Sequence, residues 1–196
     1  GIKKARITGG EPFVRNNLIY FLQKISKIRG LEEISITSNG ILINQFIQDL
    51  KDTGINSVNL SLDTLNEETF KRITRRNDFK TVMDTFERLI KFGFNLKINV
   101  VVMNQMNTND IIPMAELTQN IPISVRFIEE MPFNGSREEK TRSLFNYKQI
   151  FNLLKDKYQD HLIKVEDPAH STAVNYKITG YQGGIGIIPA FSRTFC

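Results

Sequence analysis

The sequence has a single cysteine, Cys196, and two histidines among its 196 residues. One cysteine excludes an internal disulfide, and with no secretion signal visible this fits a reducing cytoplasm, the compartment we predict. His161 and His170 lie nine residues apart in a loop-rich region, which is not metal-ligand spacing. We therefore predict that both histidines are surface residues.

Several other signals are missing. No run of about 18 apolar residues occurs, so we predict no membrane span and no membrane partner. No Gly-x-x-x-x-Gly-Lys phosphate loop is present, and the glycine-rich patch at Gly180, Gly183, Gly184 and Gly186 is more typical of a turn. Ser61 has no obvious histidine partner, which argues against a hydrolytic triad.

The formal net charge is +5, which is modest for this length. A nucleic-acid binder usually concentrates Lys and Arg on one stripe, whereas here they are spread along predicted helix faces among Glu and Asp. We therefore predict no nucleic-acid partner. A basic pocket for a polyanionic small molecule, such as a nucleoside triphosphate, remains compatible with the charge.

Short β-rich runs alternate with amphipathic stretches of helical period. Strands are predicted over 3–8, 33–37, 57–62, 95–103 and 123–128, and each of the first four is followed by a helical pattern. Asn109 is a candidate N-cap for the fourth of these helical segments. The alternation predicts an α/β fold with a parallel sheet, as a barrel or partial barrel, with an open doubly wound sheet as the alternative.

The region after Met131 has a different pattern. A polar loop over 133–142 is followed by a predicted helix over 147–157 and short strands over 164–167, 176–179 and 186–188. We therefore predict a barrel core at 1–132 and a mixed α/β extension at 133–196. Because the chain enters a strand almost at once after Gly1 and stops at Cys196 without a closing element, we expect both ends to be truncated.

Polar residues occupy strand positions where a covered parallel sheet would be apolar. Because strand side chains alternate between faces, these polar residues share one face of each strand. They are Arg6 and Thr8; Ser35, Thr37 and Asn39; Asn59, Ser61 and Asp63; Lys97 and Asn99; Ser124 and Arg126. This predicts a polar lumen that holds water or a polar ligand, and the alternative is one exposed face of an open sheet.

Four predicted strands also end in a polar motif. The motifs are Thr8-Gly9-Gly10-Glu11-Pro12, Thr37-Ser38-Asn39-Gly40, Ser61-Leu62-Asp63 and the run from Arg126 to Pro132. Ligands in α/β folds bind at the carboxyl ends of parallel strands, and glycines let backbone groups approach a ligand closely. Each motif alone is compatible with an ordinary turn, so the prediction rests on their common placement.

The order of these motifs resembles the radical SAM GTP 3′,8-cyclase family. The resemblance is carried by Arg-Ile-Thr-Gly-Gly-Glu-Pro, Thr-Ser-Asn-Gly, Val-Asn-Leu-Ser-Leu-Asp, Lys-Ile-Asn-Val-Val, Arg-Phe-Ile-Glu-x-Met-Pro and Ser-x-x-Phe-Cys. It implies a partial TIM-type barrel and an enzyme that acts on GTP with S-adenosylmethionine and two [4Fe–4S] clusters. Members of the family catalyse the first step of molybdenum-cofactor synthesis, and a homodimer is compatible with the resemblance.

The resemblance also implies roles for single residues. Gly9, Gly10, Glu11, Ser61 and Met131 would contact S-adenosylmethionine. Arg6, Thr37 and Lys97 would contact GTP, and Arg6 and Lys97 supply the positive charge that such a ligand requires. Cys196 would be the first ligand of the second, C-terminal cluster.

This sequence departs from the family pattern in three ways. The upstream Cys-x-x-x-Cys-x-x-Cys run and the later cysteines of the second cluster are absent. One thiolate cannot hold a cubane cluster, so we expect this polypeptide by itself to be inactive. The second strand-end motif has Ser38 where the family more often has Thr. Rival hypotheses remain. The protein could be a barrel enzyme that acts on an anionic substrate without radicals, or an enzyme of another radical SAM subfamily. It could also be a non-catalytic nucleotide-binding domain.

Overall fold

The computed structural model describes residues 1–131, 145–167, 171–190 and 192. Its strands are β1 (Lys4–Ile7), β2 (Glu33–Ser38), β3 (Ser57–Ser61), β4 (Asn95–Val102), β5 (Ser124–Glu129), β6 (Leu162–Lys164), β7 (Val174–Ile178) and β8 (Gly184–Ile188). Its helices are α1 (Leu18–Ile25), α2 (Ile47–Asp52), α3 (Glu67–Thr74), α4 (Phe79–Lys91), α5 (Ile111–Glu116) and α6 (Tyr147–Tyr158). The chain forms two compact units, one of Gly1–Leu62 with Arg76–Ile98 and one of Asp63–Arg75 with Asn99–Cys196.

The first unit contains a parallel sheet in which β2 lies between β1 and β3. Ile7 pairs with Ile36, and Ile36 pairs with Val58, so apolar residues form a row across the three strands. Ile36 and Val58 are fully buried. This parallel arrangement agrees with the sequence prediction, because a crossover helix connects parallel neighbours.

Helix α4 shows why the helical stretches fold as they do. Val82, Phe86 and Leu89 follow one another at spacings of four and three residues, and all three are buried on one face of the helix. Thr85 lies on the same face, and its hydroxyl donates to the Gly40 carbonyl at 2.8 Å. This bond satisfies a buried polar group and connects α4 to the loop after β2.

The second unit contains a mixed sheet in the order β5-β8-β7-β6. β5 and β8 are parallel, with Phe127 opposite Ile187, whereas β7 runs antiparallel to both β8 and β6. Of the glycine-rich patch, Gly180 and Gly183 lie in the turn between β7 and β8, as predicted, whereas Gly184 and Gly186 belong to β8. Gly180 has a φ of +86°. A Cβ on Gly183 would lie 2.2 Å from the Ile123 carbonyl oxygen, so only glycine fits.

A carboxylate with two tyrosine partners holds helices of the second unit together. Glu116, at the end of α5, accepts hydrogen bonds from the Tyr158 hydroxyl at 2.8 Å and the Tyr181 hydroxyl at 2.7 Å. Burial, followed by the hydrogen bond to Glu116, raises the pKa of Tyr158 and raises that of Tyr181 to about 12. Both phenols are therefore donors throughout the physiological range, and the network fixes α5 against α6 and the β7–β8 turn.

Within the second unit, Asp63 is joined to the end of β4 by hydrogen bonds. The Asp63 carboxylate accepts from the Val101 N–H at 2.7 Å, and the Asn107 amide donates to the carbonyls of Asp63 and Val101 at 2.7 and 2.9 Å. Burial raises the pKa of Asp63 to about 6, although the Val101 hydrogen bond acts in the opposite direction.

Two local predictions are wrong. Asn109 does not cap α5; it lies inside a 3-10 turn over Thr108–Asp110, and Asp110 precedes the helix without a side-chain cap bond. The strand predicted over 164–167 is instead β6 at Leu162–Lys164, because its pairing with Tyr176–Ile178 of β7 sets its position. The predicted loop over 133–142 lies outside the described residues.

No helix in the described part of the chain is long and apolar enough to cross a membrane. His161 is exposed, as predicted, and His170 lies outside the described residues.

The alternation of buried and less buried side chains predicted for β4 and β5 is confirmed. In β3 both faces are covered, because Ser57 and Asn59 are buried as well as Val58 and Leu60.

Replacing Gly40 by alanine tests the contact between the β2 loop and α4. Gly40 has a φ of +84°, and a Cβ there would lie 2.7 Å from Leu60 Cδ1 and 3.1 Å from Val82 Cγ1. Gly54→Ala is the matched control, because Gly54 has a φ of +75° but no atom within 4 Å of an added Cβ. In chemical denaturation we expect Gly54→Ala to cost about 1 kcal/mol from backbone strain and Gly40→Ala about 3 kcal/mol, since overpacking adds to the strain. Equal losses would contradict this packing.

The raised pKa of Asp63 predicts a pH-dependent stability. Its folded pKa of about 6 exceeds the ordinary aspartate pKa of 3.8, so the folded state binds the proton more tightly. The stabilisation is fully present below pH 4 and is lost as the pH rises through 6. We expect Asp63→Asn, whose side-chain oxygen can still accept from Val101, to match the wild type in unfolding free energy at pH 4 and to exceed it by about 2 kcal/mol at pH 7.5. A difference that does not change with pH would exclude this carboxyl as the source.

Candidate functional site at the strand ends

The loop after β1 carries the first predicted motif in a conformation that requires glycine. Gly9 has a φ of +142°, and neither Gly9 nor Gly10 has any atom within 4 Å of an added Cβ. Both residues and Thr8 are exposed. Their backbone N–H and C=O groups are therefore open to a ligand, as the sequence predicts for a close backbone approach.

Glu11 fixes this loop to the loop after β2. Its Oε1 accepts from the Ser38 hydroxyl at 2.9 Å and from the Phe13 N–H at 3.3 Å, and its Oε2 accepts from the Asn39 N–H at 2.8 Å. Ser38 in turn accepts from the Gly40 N–H at 3.1 Å. The Gly-Gly-Glu-Pro and Thr-Ser-Asn-Gly motifs therefore form one hydrogen-bonded unit, and three of the four lone-pair positions of the carboxylate are in use.

A cavity of about 180 Å³ opens beside these glycines. Gly10 and Glu11 line it together with Arg15 and the apolar side chains of Leu18 and Phe21. The Arg15 guanidinium lies 4.8 Å from the centroid of the Phe21 ring, in cation–π contact. The cavity is smaller than a typical ligand site, so it could hold only part of a ligand. Sequence reasoning missed Arg15, which lies directly after the 3-10 turn over Pro12–Val14.

The polar face of the first unit joins β2 and β3. Thr37 pairs with Asn59 in register, and the Asn59 amide donates to the Thr37 hydroxyl at 3.3 Å. Asn59 is buried and Thr37 is half-buried, whereas Ser61, the last residue of β3, is exposed. Thr37 and Asn59 therefore lie side by side across β2 and β3, and Ser61 is accessible to a ligand.

Positive side chains lie on two strands of the first unit. Arg6 on β1 is exposed and Lys97 on β4 is half-buried. The pKa of Glu33 is lowered, first by the hydrogen bond from Lys4 and, to a smaller extent, by the positive charge of Lys97. The Lys4–Glu33 ion pair, at 2.8 Å, is largely exposed, so it contributes little to stability.

The predicted site residues of the second unit are less completely described. Met131 is 56% exposed, so its thioether is available to a ligand. Cys196 lies outside the described residues. Among the described residues, no group of three or more His, Cys, Asp or Glu side chains could hold a metal ion.

Glu129, in the last predicted motif, is a second residue that sequence reasoning passed over. It ends β5, and its side chain is 3% exposed. Its carboxylate accepts hydrogen bonds from the Tyr147 N–H and from both the N–H and the hydroxyl of Ser192. No local sequence signal points to these partners, since Ser192 is 63 residues away.

Known proteins have sequences similar to this one along its whole length. The chain is 38% identical to a molybdenum cofactor biosynthesis protein of Caenorhabditis elegans, over the whole chain and 32% of that protein. It is 37% identical to a GTP 3′,8-cyclase of Alkaliphilus oremlandii, over the whole chain and 60% of that protein. The chain thus spans about a third to three fifths of the length of these relatives.

Solved structures identify the fold. A radical SAM methyltransferase from Sphaerobacter thermophilus matches with a TM-score of 0.60 at 16% identity, over 79% of this chain and 47% of that one. The radical SAM coproporphyrinogen III oxidase of Escherichia coli matches with a TM-score of 0.54 at 20% identity, over 84% of this chain and 42% of that one. The predicted α/β fold of the radical SAM kind is therefore confirmed.

Two family models cover most of the chain. Residues 123–196 match the model described as Molybdenum Cofactor Synthesis C. Residues 1–118 match the model of the Radical SAM superfamily, which is more than half of the chain. The chain belongs to the radical SAM superfamily.

Proposed function

We propose that the protein is a GTP 3′,8-cyclase, which converts GTP to (8S)-3′,8-cyclo-7,8-dihydroguanosine 5′-triphosphate in molybdenum-cofactor synthesis. The observation that carries the proposal is the match of residues 123–196 to the Molybdenum Cofactor Synthesis C model, directly after a radical SAM core. A radical SAM core alone would fit many reactions. The 37% identity to a protein named GTP 3′,8-cyclase, along the whole chain, supports the same choice.

The residues of the β1 loop suit S-adenosylmethionine. Gly9 and Gly10 offer exposed backbone groups with open space on the Cβ side, so a methionine moiety can approach the main chain. Glu11 keeps one lone-pair position for the amino group after its bonds to Phe13, Ser38 and Asn39. Ser61 and Met131, both exposed, complete the proposed set.

Arg6, Thr37 and Lys97 are the proposed GTP contacts. Arg6 and Lys97 provide fixed positive charge for phosphate or guanine oxygens, and Thr37 provides a hydroxyl already oriented by Asn59. Bound to a reduced [4Fe–4S] cluster, which would donate one electron and release methionine, S-adenosylmethionine would supply the deoxyadenosyl radical that takes the 3′ hydrogen of GTP ribose. The contribution of these residues is to bind and orient GTP and to exclude water.

The second cluster enters the proposal through Cys196. Its thiolate would be one iron ligand, and the remaining ligands of both clusters would come from outside these 196 residues, which contain one cysteine. The proposal divides the chain into a core at 1–132 and an extension at 133–196 that leads to the second cluster site. It also places the protein in the cytoplasm, and a homodimer remains an option.

Anaerobic reconstitution of the full-length gene product tests this function. We expect iron–sulfur absorbance together with release of deoxyadenosine that depends on GTP. Deoxyadenosine release without GTP dependence would indicate another radical SAM subfamily. Binding of GTP without any cluster would favour the alternative of a non-catalytic nucleotide-binding domain.

Lys97→Met tests the proposed GTP contact against a matched control. Lys4 and Lys97 both act electrostatically on Glu33, so Lys4→Met removes the same charge from a neighbouring position without touching the proposed site. In equilibrium binding to the anaerobically purified full-length protein, we expect Lys97→Met to weaken GTP binding about tenfold, since it removes a charge-assisted hydrogen bond. Lys4→Met should stay within about twofold, because exposed ion pairs contribute little. Equal effects would mean that Lys97 acts only through overall charge.

A further inference from the structure

Arg15 is an exposed arginine that lines the cavity beside the β1 loop. Its guanidinium lies 4.8 Å from the centroid of the Phe21 ring, and no carboxylate of the described residues forms an ion pair with it. A contact with an aromatic ring leaves the N–H donors of a guanidinium available to an anion. The roles proposed above give Arg15 no part, so this cation beside the glycines has no assigned ligand.

The backbone on both sides of Arg15 is fixed. Its N–H donates to the Pro12 carbonyl at 3.0 Å, directly after the 3-10 turn that begins at Pro12. Phe13 in that turn is buried, and its ring stacks on Phe46 with the two centroids 5.3 Å apart. Leu18, three residues after Arg15, is also buried. These packed neighbours keep Arg15 at the cavity, as a binding residue requires.

Side chains of opposite charge line this cavity. Glu11 contributes a carboxylate in which one of four lone-pair positions is still open to a donor. Arg15 contributes a positive charge, and Ile7, Leu18 and Phe21 contribute apolar wall. An open acceptor, a cationic donor and an apolar wall match the ammonium group, the carboxylate and the aliphatic chain of an α-amino acid.

We propose that Arg15 binds the carboxylate of the methionine moiety of S-adenosylmethionine, while Glu11 accepts from the ammonium group of the same moiety. This role deepens the proposed function and rests on it in one respect, since that function brings S-adenosylmethionine to the β1 loop. The cavity of about 180 Å³ is below the roughly 300 Å³ at which typical ligand pockets begin. It therefore takes the amino-acid end of the cofactor and leaves the adenosyl part outside.

The carboxylate matches this cavity better than the phosphates of GTP do, although a guanidinium can bind either anion. Glu11 and Arg15 line the same cavity with one charge of each sign. An amino-acid zwitterion also carries one charge of each sign. A triphosphate carries several negative charges, so Glu11 would repel it and a single arginine would not compensate.

Equilibrium binding of two ligands to the anaerobically purified full-length protein tests this role. We expect Arg15→Gln to weaken the binding of S-adenosylmethionine about tenfold, because a charge-assisted hydrogen-bond pair is lost. Decarboxylated S-adenosylmethionine lacks the proposed partner of Arg15, so Arg15→Gln should weaken its binding by less than about twofold. Unchanged binding of S-adenosylmethionine, or an equal loss for both ligands, would overturn the proposal.

Arg88→Gln is the matched control. Arg88 lies in the same unit with its guanidinium 5.9 Å from the Phe92 ring centroid, but it does not line the cavity. Its replacement removes the same charge and a similar aromatic contact, so both affinities should stay within about twofold of the wild type. A tenfold loss in Arg88→Gln as well would mean that overall charge decides binding, which contradicts a site at Arg15.

Arg15→Lys and GTP binding complete the test. Arg15 is exposed, so both of its variants should fold. Arg15→Lys keeps the charge but loses the two-pronged geometry, so we expect S-adenosylmethionine to bind about threefold more weakly than to the wild type. A lysine no better than glutamine would argue against an anion at this position. A loss of GTP affinity in Arg15→Gln without a loss of S-adenosylmethionine affinity would assign the cation to phosphate and reject the proposed role.

These affinities are measured without turnover, so they are independent of the deoxyadenosine release that tests the proposed function. If GTP-dependent release fails while both ligands respond to Arg15→Gln as expected, the cyclase is wrong and the Arg15 site stands. If release succeeds and the two ligands respond alike, only the Arg15 site is wrong.

Discussion

At the carboxyl ends of the strands, backbone N–H and C=O groups have no hydrogen-bond partner in a neighbouring strand. This fold must satisfy them in another way. The same solution occurs three times: an acidic side chain that follows or ends one strand accepts an N–H at or beyond the end of another. Glu11 accepts from Asn39 after β2, Asp63 accepts from Val101 near the end of β4, and Glu129 accepts from Ser192 after β8. The loops that carry the candidate site depend on these three carboxylates for their conformation.

A carboxylate suits this task because its two oxygens accept up to four hydrogen bonds, and bonds to an ionised acceptor are stronger than neutral ones. The balance between burial and hydrogen bonding nevertheless differs among the three sites. Asp63 accepts one hydrogen bond, from the Val101 N–H, which lowers its pKa. Burial raises the pKa by more, so the pKa of Asp63 is about 6. Glu129 is almost fully buried but receives donors from Tyr147 and Ser192. Glu129 therefore has more hydrogen-bond donors than Asp63 to offset its burial.

Periodicity predicted the elements whose positions depend on one buried face. The spacing of Val82, Phe86 and Leu89 placed α4, and the alternation along β4 placed a strand with one side buried. Local signals failed where distant pairing decides. Asn109 resembles an N-cap, but a 3-10 turn precedes α5, and the position of β6 follows from its antiparallel pairing with β7. Glu129 was missed for the same reason, since its partner Ser192 becomes a neighbour only when β8 pairs with β5.

The bond between Ser38 and Glu11 also explains why the departure from the commoner Thr-Thr-Asn-Gly motif is mild. Ser38 is 2% exposed, and its hydroxyl donates to Glu11 and accepts from the Gly40 N–H. Serine and threonine present the same hydroxyl from the same position, so either residue can make both bonds. What the site requires at this position is the hydroxyl, because it joins the glycine loop after β1 to the turn at Gly40. The two motifs, separated by more than twenty residues in the sequence, are therefore constrained together, and a change in either one alters the backbone presented by the other.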